Sequence, residues 1–177
     1  MAYFSPVIPG LDVTYKYDCI RPIHNNKIIE PCPGTLWDFL VQHKEFRLFK
    51  YLVEIAQLEN IFNDVQLNIT VFIPEDKNLL KFYPENMILN MEKYQALKIV
   101  NYNSLPTKIN IKEISSSKSM KLNTKIRGHL IYTNAENGII SLIGEFNNSV
   151  KILKGDIIVN NALIHITNTI LLPEMLM

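Results

Sequence analysis

The most regular run of apolar positions lies at 68–79, where Ile69, Val71 and Ile73 alternate with Thr70 and Phe72. All five are β-branched or aromatic, so the run predicts a strand buried on both faces. Pro74 ends it, because proline offers no N–H to a ladder and holds the residue before it extended. Asp76 then stands where a carboxylate can accept hydrogen bonds from the amides of a following turn or helix carrying Leu79, Leu80 and Phe82.

Upstream the period changes from two to between three and four. Thr35 is a good helix cap, and Asp38 at the third helical position completes a capping-box pattern. Leu36, Phe39 and Leu40 share one face of that helix, and Phe46, Phe49, Leu52, Val53 and Ala56 share one face of the next. Trp37 is expected in the core. Downstream, 77–97 reads as helical with a break at Pro84, and Met87, Ile88, Met91, Tyr94 and Leu97 form a buried stripe. Residues 99–102 return to extended character.

From Thr107 the pattern is β. Ile109 and Ile111 alternate with polar residues, 115–119 is a serine-rich loop, and 126–132 pairs with 139–143 across a turn at 134–138 containing Asn137-Gly138. A break at 144–149 leads to a strand at 150–153. Lys154-Gly155-Asp156 reads as a further turn, and the last strands are 157–159 and 163–166.

The first 34 residues sustain neither period and carry Pro6, Pro9, Pro22, Pro31 and Pro33. Such a stretch predicts an irregular arm. It becomes ordered only when groups such as Tyr3, Phe4 and Ile8 are buried, because ordering costs about 1–2 kcal/mol per residue. The chain therefore divides into an arm at 1–33, a folded domain at 34–173 and a short tail at 174–177. With 177 residues there is material for one core.

Cys19 and Cys32 both belong to the arm region. A disulfide between them would close a short loop and stabilise by about 3 kcal/mol in the chain-entropy model. In a reducing compartment the same pair would be thiols, and with His24 between them they present three irregularly spaced metal ligands, a poor zinc pattern.

Eighteen Lys and Arg against 17 Asp and Glu leave no electrostatic footprint for nucleic acid or anionic lipid. No apolar run approaches the roughly 18 residues that span a bilayer, so direct membrane insertion is not expected. Residues 1–10 have neither the basic start nor the apolar core of a secretory signal. Asn68-Ile69-Thr70 and Asn147-Asn148-Ser149 fit the N-glycosylation sequon, yet without passage through the secretory pathway neither is expected to be modified. Ile, Asn, Lys and Tyr are abundant while Arg, Gly and Ala are scarce, the bias of AT-rich coding sequences such as those of many large DNA viruses.

Chemistry-bearing motifs are missing in every class tested. There is no Gly-x-Ser-x-Gly elbow, no His-Glu-x-x-His, no Cys-x-x-Cys and no phosphate-cradling loop, for which six glycines offer little material. Neither an enzymatic activity nor a cofactor is expected. His165 lies among Leu163, Ile164 and Ile166, which predicts a buried neutral imidazole hydrogen-bonded to backbone.

Thr70-Val71-Phe72-Ile73-Pro74-Glu75-Asp76 resembles the first signature of the fasciclin domain, Thr-Val-Phe-Ala-Pro-Thr-Asp. The stretch from Asn161 through His165 to Pro173 is similar to the second, with Ala162 in place of the usual glycine and Asn168 in place of aspartate. Residues 97–105 resemble the family's Tyr-His segment, keeping Tyr102 and placing Asn103 where histidine is usual. Thr124 to Gly128 is similar to its Thr-Leu-x-Gly turn. The resemblance implies an α+β fold, a β-sandwich or wedge with several short helices packed at one side. It also implies that the strand ending at Pro74 lies beside the one bearing His165. Thr70, Phe72, Pro74, Asp76, Asn161, His165 and Pro173 are its structural signature residues. Tyr102 and Asn103 join Tyr3, Phe4 and Ile8 as candidate interaction residues, although integrin contact, implied for the animal Tyr-His segment, does not transfer to a chain that keeps only the tyrosine.

Residues and resemblance together predict a non-enzymatic protein–protein interaction module. The expectation is a structural component of a larger assembly, such as a minor capsid protein of a large DNA virus. Its partners would be capsid or scaffold proteins met through the arm, in the virion or the cytoplasm of the producing cell. The alternative is a secreted or surface cell-adhesion protein of fasciclin type.

Overall fold

The computed structural model describes residues 30–174. The expectations for the arm, including Tyr3, Phe4, Ile8 and Cys19, and for the tail at 175–177 lie outside the described residues.

Among the described residues the helices come first. Thr35 caps α1 (Leu36–Gln42), its Oγ1 accepting from the Asp38 N–H at 3.0 Å. The returning bond of the expected capping box is displaced by one residue, so that Gly34 N–H, and not Thr35 N–H, donates to Asp38 Oδ2 at 2.9 Å. A short 3₁₀ turn (Lys44–Phe46) leads into α2 (Arg47–Ile55), and α3 (Glu59–Phe62) follows. Leu36, Trp37 and Leu40 of α1, Phe46, and Leu48, Phe49, Leu52 and Val53 of α2 are all buried. Asn63 ties the segment before α1 to this layer. Its side chain donates to Glu30 O at 2.8 Å and accepts from Cys32 N–H at 2.7 Å and Thr35 Oγ1 at 3.0 Å.

β1 (Thr70–Pro74) is buried at all five positions. It is followed by α4 (Asp76–Leu79), α5 (Glu85–Leu89), α6 (Lys93–Tyr102), β2 (Ser104–Leu105) and the single turn α7 (Ile111–Ile114). The remainder is β3 (Lys121–Asn123), β4 (Leu130–Glu136), β5 (Ile139–Ile143), β6 (Ser149–Val159) and β7 (Ala162–Thr167). These strands form one sheet in the order β2-β1-β7-β6-β5-β4-β3. Lys125 N–H, just past β3, donates to Ser104 O of β2 at 2.9 Å, so the two ends of the sheet nearly meet. The α+β expectation is met.

Two cores share β1 between them, which is why that strand is apolar on both faces. Val71 and Ile73 point into a cluster with the helices α1, α2, α5 and α6 and with Ile164 and Ile166 of β7. Phe72 points the other way, into the interior of the curled sheet with Tyr102, Leu105, Leu122, Ile131, Leu142, Val150 and Leu171. Parallel strands covered on both faces read as continuous apolar runs, and β1 and β7 are parallel, with Thr70 opposite Leu163 and Phe72 opposite His165.

Several local expectations are corrected. Residues 99–102 are not extended but form the last turn of α6. A capping box of Glu92 and Gln95 starts that helix, and Ala96, Ile99, Val100 and Asn103 bury one face of it. Packing on that face outweighs the weak strand preference of two β-branched residues. Ile111 opens α7, not a strand, because Asn110 and Glu113 form a reciprocal capping box. Met87 and Tyr94 are exposed, so the buried stripe narrows to Ile88 with Met91 and Leu97 packed partly against it. β4 starts at Leu130 and not at 126, since Thr124 Oγ1 gathers Ile126 N–H and donates to His129 O at 2.7 Å to hold a turn there. The turn to β5 shrinks to Asn137 and Gly138, both at positive φ (54° and 78°), the geometry that lets a two-residue hairpin follow the strand twist.

Lys154-Gly155-Asp156 does not turn the chain. β6 runs straight through it as an 11-residue strand whose pairing with β7 slips between Ile152 and Lys154 and again between Lys154 and Ile157. These bulges let one strand serve both halves of the sheet.

Candidate functional site

Three signature residues, Thr70, Phe72 and His165, meet at the centre of the paired β1 and β7 strands, and the polar side-chain atoms of Thr70 and His165 are all engaged. His165 is fully buried. Its Nδ1 accepts from the Asp156 N–H at 3.0 Å, which places the ring proton on Nε2, and Nε2 donates to Ile109 O at 2.8 Å. Asp156 itself sits at φ 59° in the bulge, and its Oδ1 accepts from Ile111 N–H at 2.9 Å. A Cβ at Gly155 would overlap the Ile111 side chain and lie 3.0 Å from His165 Nδ1, so only glycine permits this approach. Thr70 Oγ1 donates to Thr107 O and accepts from Ile109 N–H, both at 2.8 Å. His165, Asp156 and Thr70 therefore sew the 107–111 segment onto the sheet. The third signature residue, Phe72, lies with its ring 5.9 Å from that of His165.

Burial pushes the His165 pKa below the ordinary histidine value, against the smaller opposing effects of the Ile109 carbonyl and Asp156. An unfolded chain therefore takes up this proton at a higher pH than the folded one. Below about pH 6.5 the unfolded state binds more protons, so stability present above that pH is lost as the pH falls toward the depressed folded value. His165→Gln is expected to flatten that acid-side slope in unfolding midpoints measured between pH 7.5 and 5. A slope unchanged by the substitution would contradict the buried neutral imidazole.

Asp76 does not serve the helix it begins. Its Oδ1 accepts from Leu48 N–H at 2.8 Å, capping α2, whose own cap residue Phe46 has no side-chain acceptor. Arg47 Nε stands 3.7 Å from Asp76 Oδ2, and its guanidinium reaches Glu85 Oε1 at 3.1 Å. Desolvation raises the Asp76 pKa, outweighing the lowering by Leu48 N–H and Arg47. Pro74 ends β1 opposite Thr167, Asn161 is exposed in the β6–β7 turn, and Pro173 is buried.

Tyr102 and Asn103 correct the expectation of a contact surface, because both are fully buried. Tyr102 Oη donates to Leu130 O at 2.7 Å and accepts from Glu145 N–H at 3.0 Å. Burial, then the Glu145 charge, pushes its pKa well above the usual phenol value. Asn103 Nδ2 donates to Ile99 O at 2.8 Å and Leu171 O at 2.9 Å, while its Oδ1 accepts from Leu171 N–H at 2.9 Å. The pair braces the sheet interior against the chain after β7. Cys32 is buried beside Asn63.

What faces outward is a different residue, missed in the sequence. Ile158, on β6 opposite Leu163, is 76% exposed, more than any other large apolar side chain among the described residues. A cleft of about 230 Å³ separates it from Thr35, Asp38, Phe39 and His43 of the α1 region. A second, of about 540 Å³, lies between it and Lys108, Lys112, Glu113 and Asp156. The arrangement is an apolar ridge between two clefts with polar and charged walls. Among the described residues, no group of three or more His, Cys, Asp or Glu side chains is placed to hold a metal ion, and no helix is long and apolar enough to cross a membrane.

The fasciclin domain model matches residues 44–173 of the chain. Among solved structures, the FAS1 domain pair of the insect cell adhesion molecule fasciclin I superposes with a TM-score of 0.66 at 20% identity. The match covers 80% of this chain and 52% of that one, so this chain spans about half the length of the pair. No curated protein matches it.

Proposed function

Because this chain belongs to the fasciclin domain family, we propose that it is a non-enzymatic protein–protein interaction module that works by presenting a surface. The carrying observation is the contrast between Thr70, Asn103 and His165, whose polar atoms are turned inward, and the Ile158 ridge. A single exposed apolar residue is common on any surface. Set between a cleft bordered by Thr35, Asp38 and Gln42 and one bordered by Lys108, Lys112, Glu113 and Asp156, however, it matches the anatomy of a small contact patch, an apolar centre with a polar rim. The folded unit carrying it is taken as 34–173, and adhesion outside the cell is the reading favoured.

Beads coated with the full chain test it, cross-presented to one another and to cells. Ile158→Lys is expected to weaken adhesion roughly tenfold or more, the loss typical of a central contact residue, while leaving the thermal midpoint unchanged because the side chain is solvated in the free protein. Undiminished adhesion by the folded variant would remove the ridge from the interface.

A second reading keeps the chain inside an assembly such as a capsid or scaffold, held by Tyr3, Phe4 and Ile8 of the arm. The 29 residues ahead of Glu30 and their apolar content favour it. Deleting 1–29 separates the two readings: adhesion through the ridge survives the deletion, and incorporation into particles does not.

A further inference from the structure

The two glycosylation sequons look alike in sequence and differ in the fold. In Asn68-Ile69-Thr70, Ile69 and Thr70 are buried, and the threonine hydroxyl is already engaged in both directions, with Thr107 O and Ile109 N–H. In Asn147-Asn148-Ser149, Asn147 and Ser149 are exposed on the tight loop between β5 and β6. That loop is closed by Gly144 N–H to Asn148 O and Asn147 N–H to Gly144 O, both at 3.0 Å, and Asn147 sits at φ 59°. Asn148, the middle residue, turns inward and donates to Ile170 O at 3.1 Å, which leaves its two neighbours facing solvent. Phe146, immediately before, is 52% exposed.

We propose that Asn147 is an acceptor for an N-linked oligosaccharide, with the Phe146 ring lying against the first sugar. The donor is an oligosaccharide carried on a lipid pyrophosphate. The Asn147 amide nitrogen forms a bond to sugar C1 as the C1–oxygen bond to pyrophosphate breaks. The lipid pyrophosphate leaves with that electron pair, and the amide gives up one proton. Ser149 supplies the hydroxyl that the transferring enzyme reads two residues on, and the exposed aromatic ring offers an apolar face to the sugar C–H groups. The loop lies at the start of β6 and the Ile158 ridge near its end. At roughly 3.3 Å per residue, and less at the two bulges, the strand between them spans at most about 30 Å, room for a glycan at Asn147 to cover Phe146 and leave the ridge open.

The inference rests on the extracellular side of the proposed function for its occurrence in nature. Its test supplies that passage directly. The full chain is expressed behind a secretory leader in cultured animal cells, and the secreted protein is analysed by glycosidase treatment and peptide mass spectrometry. A glycan is expected on the peptide containing Asn147, lost in Asn147→Gln and in Ser149→Ala, retained in Asn68→Gln, and reduced in occupancy in Phe146→Ala. Secreted, folded protein with Asn147 bare, whether or not Asn68 is occupied, overturns the site while leaving the bead assay to judge adhesion separately. Full occupancy in Phe146→Ala overturns the part assigned to the ring.

Discussion

Phe72→Ala is expected to lower the free energy of unfolding by roughly 3–5 kcal/mol, the cost of emptying a large aromatic site in a close-packed interior. The ring is fully buried at the junction of β1 with the curled sheet, among Tyr102, Leu105 and Leu142 and beside His165. Its neighbours come from strands paired across the whole sheet, so they cannot close in on the space without shifting the β1–β7 ladder. A domain stable by only about 5–15 kcal/mol would be left near its threshold. Denaturant unfolding of the variant beside Phe146→Ala checks this, the exposed ring serving as a reference expected to stay within about 0.5 kcal/mol of the parent. A loss below about 1 kcal/mol for Phe72→Ala would mean that the sheet does not close around that ring.

Asn103→Ala should cost nearly as much, roughly 2–4 kcal/mol, for a different reason. Truncation leaves the Leu171 N–H and C=O without their side-chain partner inside the protein, and each buried polar group so orphaned costs about 1–3 kcal/mol. Ile99 O is less affected, since it also accepts from the Asn103 backbone N–H. Because Asn103 joins the end of α6 to a residue 68 positions later, the loss should appear also as faster hydrogen exchange at the amides of 170–172. Unchanged protection there would show that the brace does not hold the C-terminal segment.

Much of the fold was legible in local pattern. The alternation around Val71, the strand end at Pro74 and the helical face from Phe46 to Ala56 each depend on residues close in sequence and are found as expected. The Thr35 cap and the Asn137-Gly138 turn are found with the reciprocal bond moved to Gly34 and the turn shortened. The misreadings share a cause. At 99–102 and at 109–111 a few β-branched residues suggested strand, but the deciding terms were burial of one helical face and a capping box, which short windows rich in Ile and Val conceal. At 154–156 Lys-Gly-Asp has the composition of a turn, whereas pairing along both sides of β6 absorbs it as a bulge.

The candidate site was less legible than the fold. Tyr102 and Asn103 were read as surface residues from a family segment, yet their partners Leu130, Glu145 and Leu171 lie 28 to 68 positions away. Asp76 was read as the cap of its own helix and instead caps one that begins 29 residues earlier. Ile158 carried no signal at all, because Ile157, Ile158 and Val159 look alike in a strand and only the sheet decides which of them meets water.

By itself the sequence determined which segments would be strand or helix wherever a period of two or of three to four ran unbroken, and which residues had to be buried on both sides. It also determined, through two signature stretches, the family. That the strand ending at Pro74 lies beside the one bearing His165 followed from the same two stretches and is found. Only the tertiary structure decided that the two run parallel, that His165 and Asn103 hold distant segments together, and that Ile158 and Asn147 stand in solvent at opposite ends of β6. The physical reason is that periodicity reports a residue's own side of the chain, whereas a hydrogen bond or an exposed face depends on what folding brings to the other side.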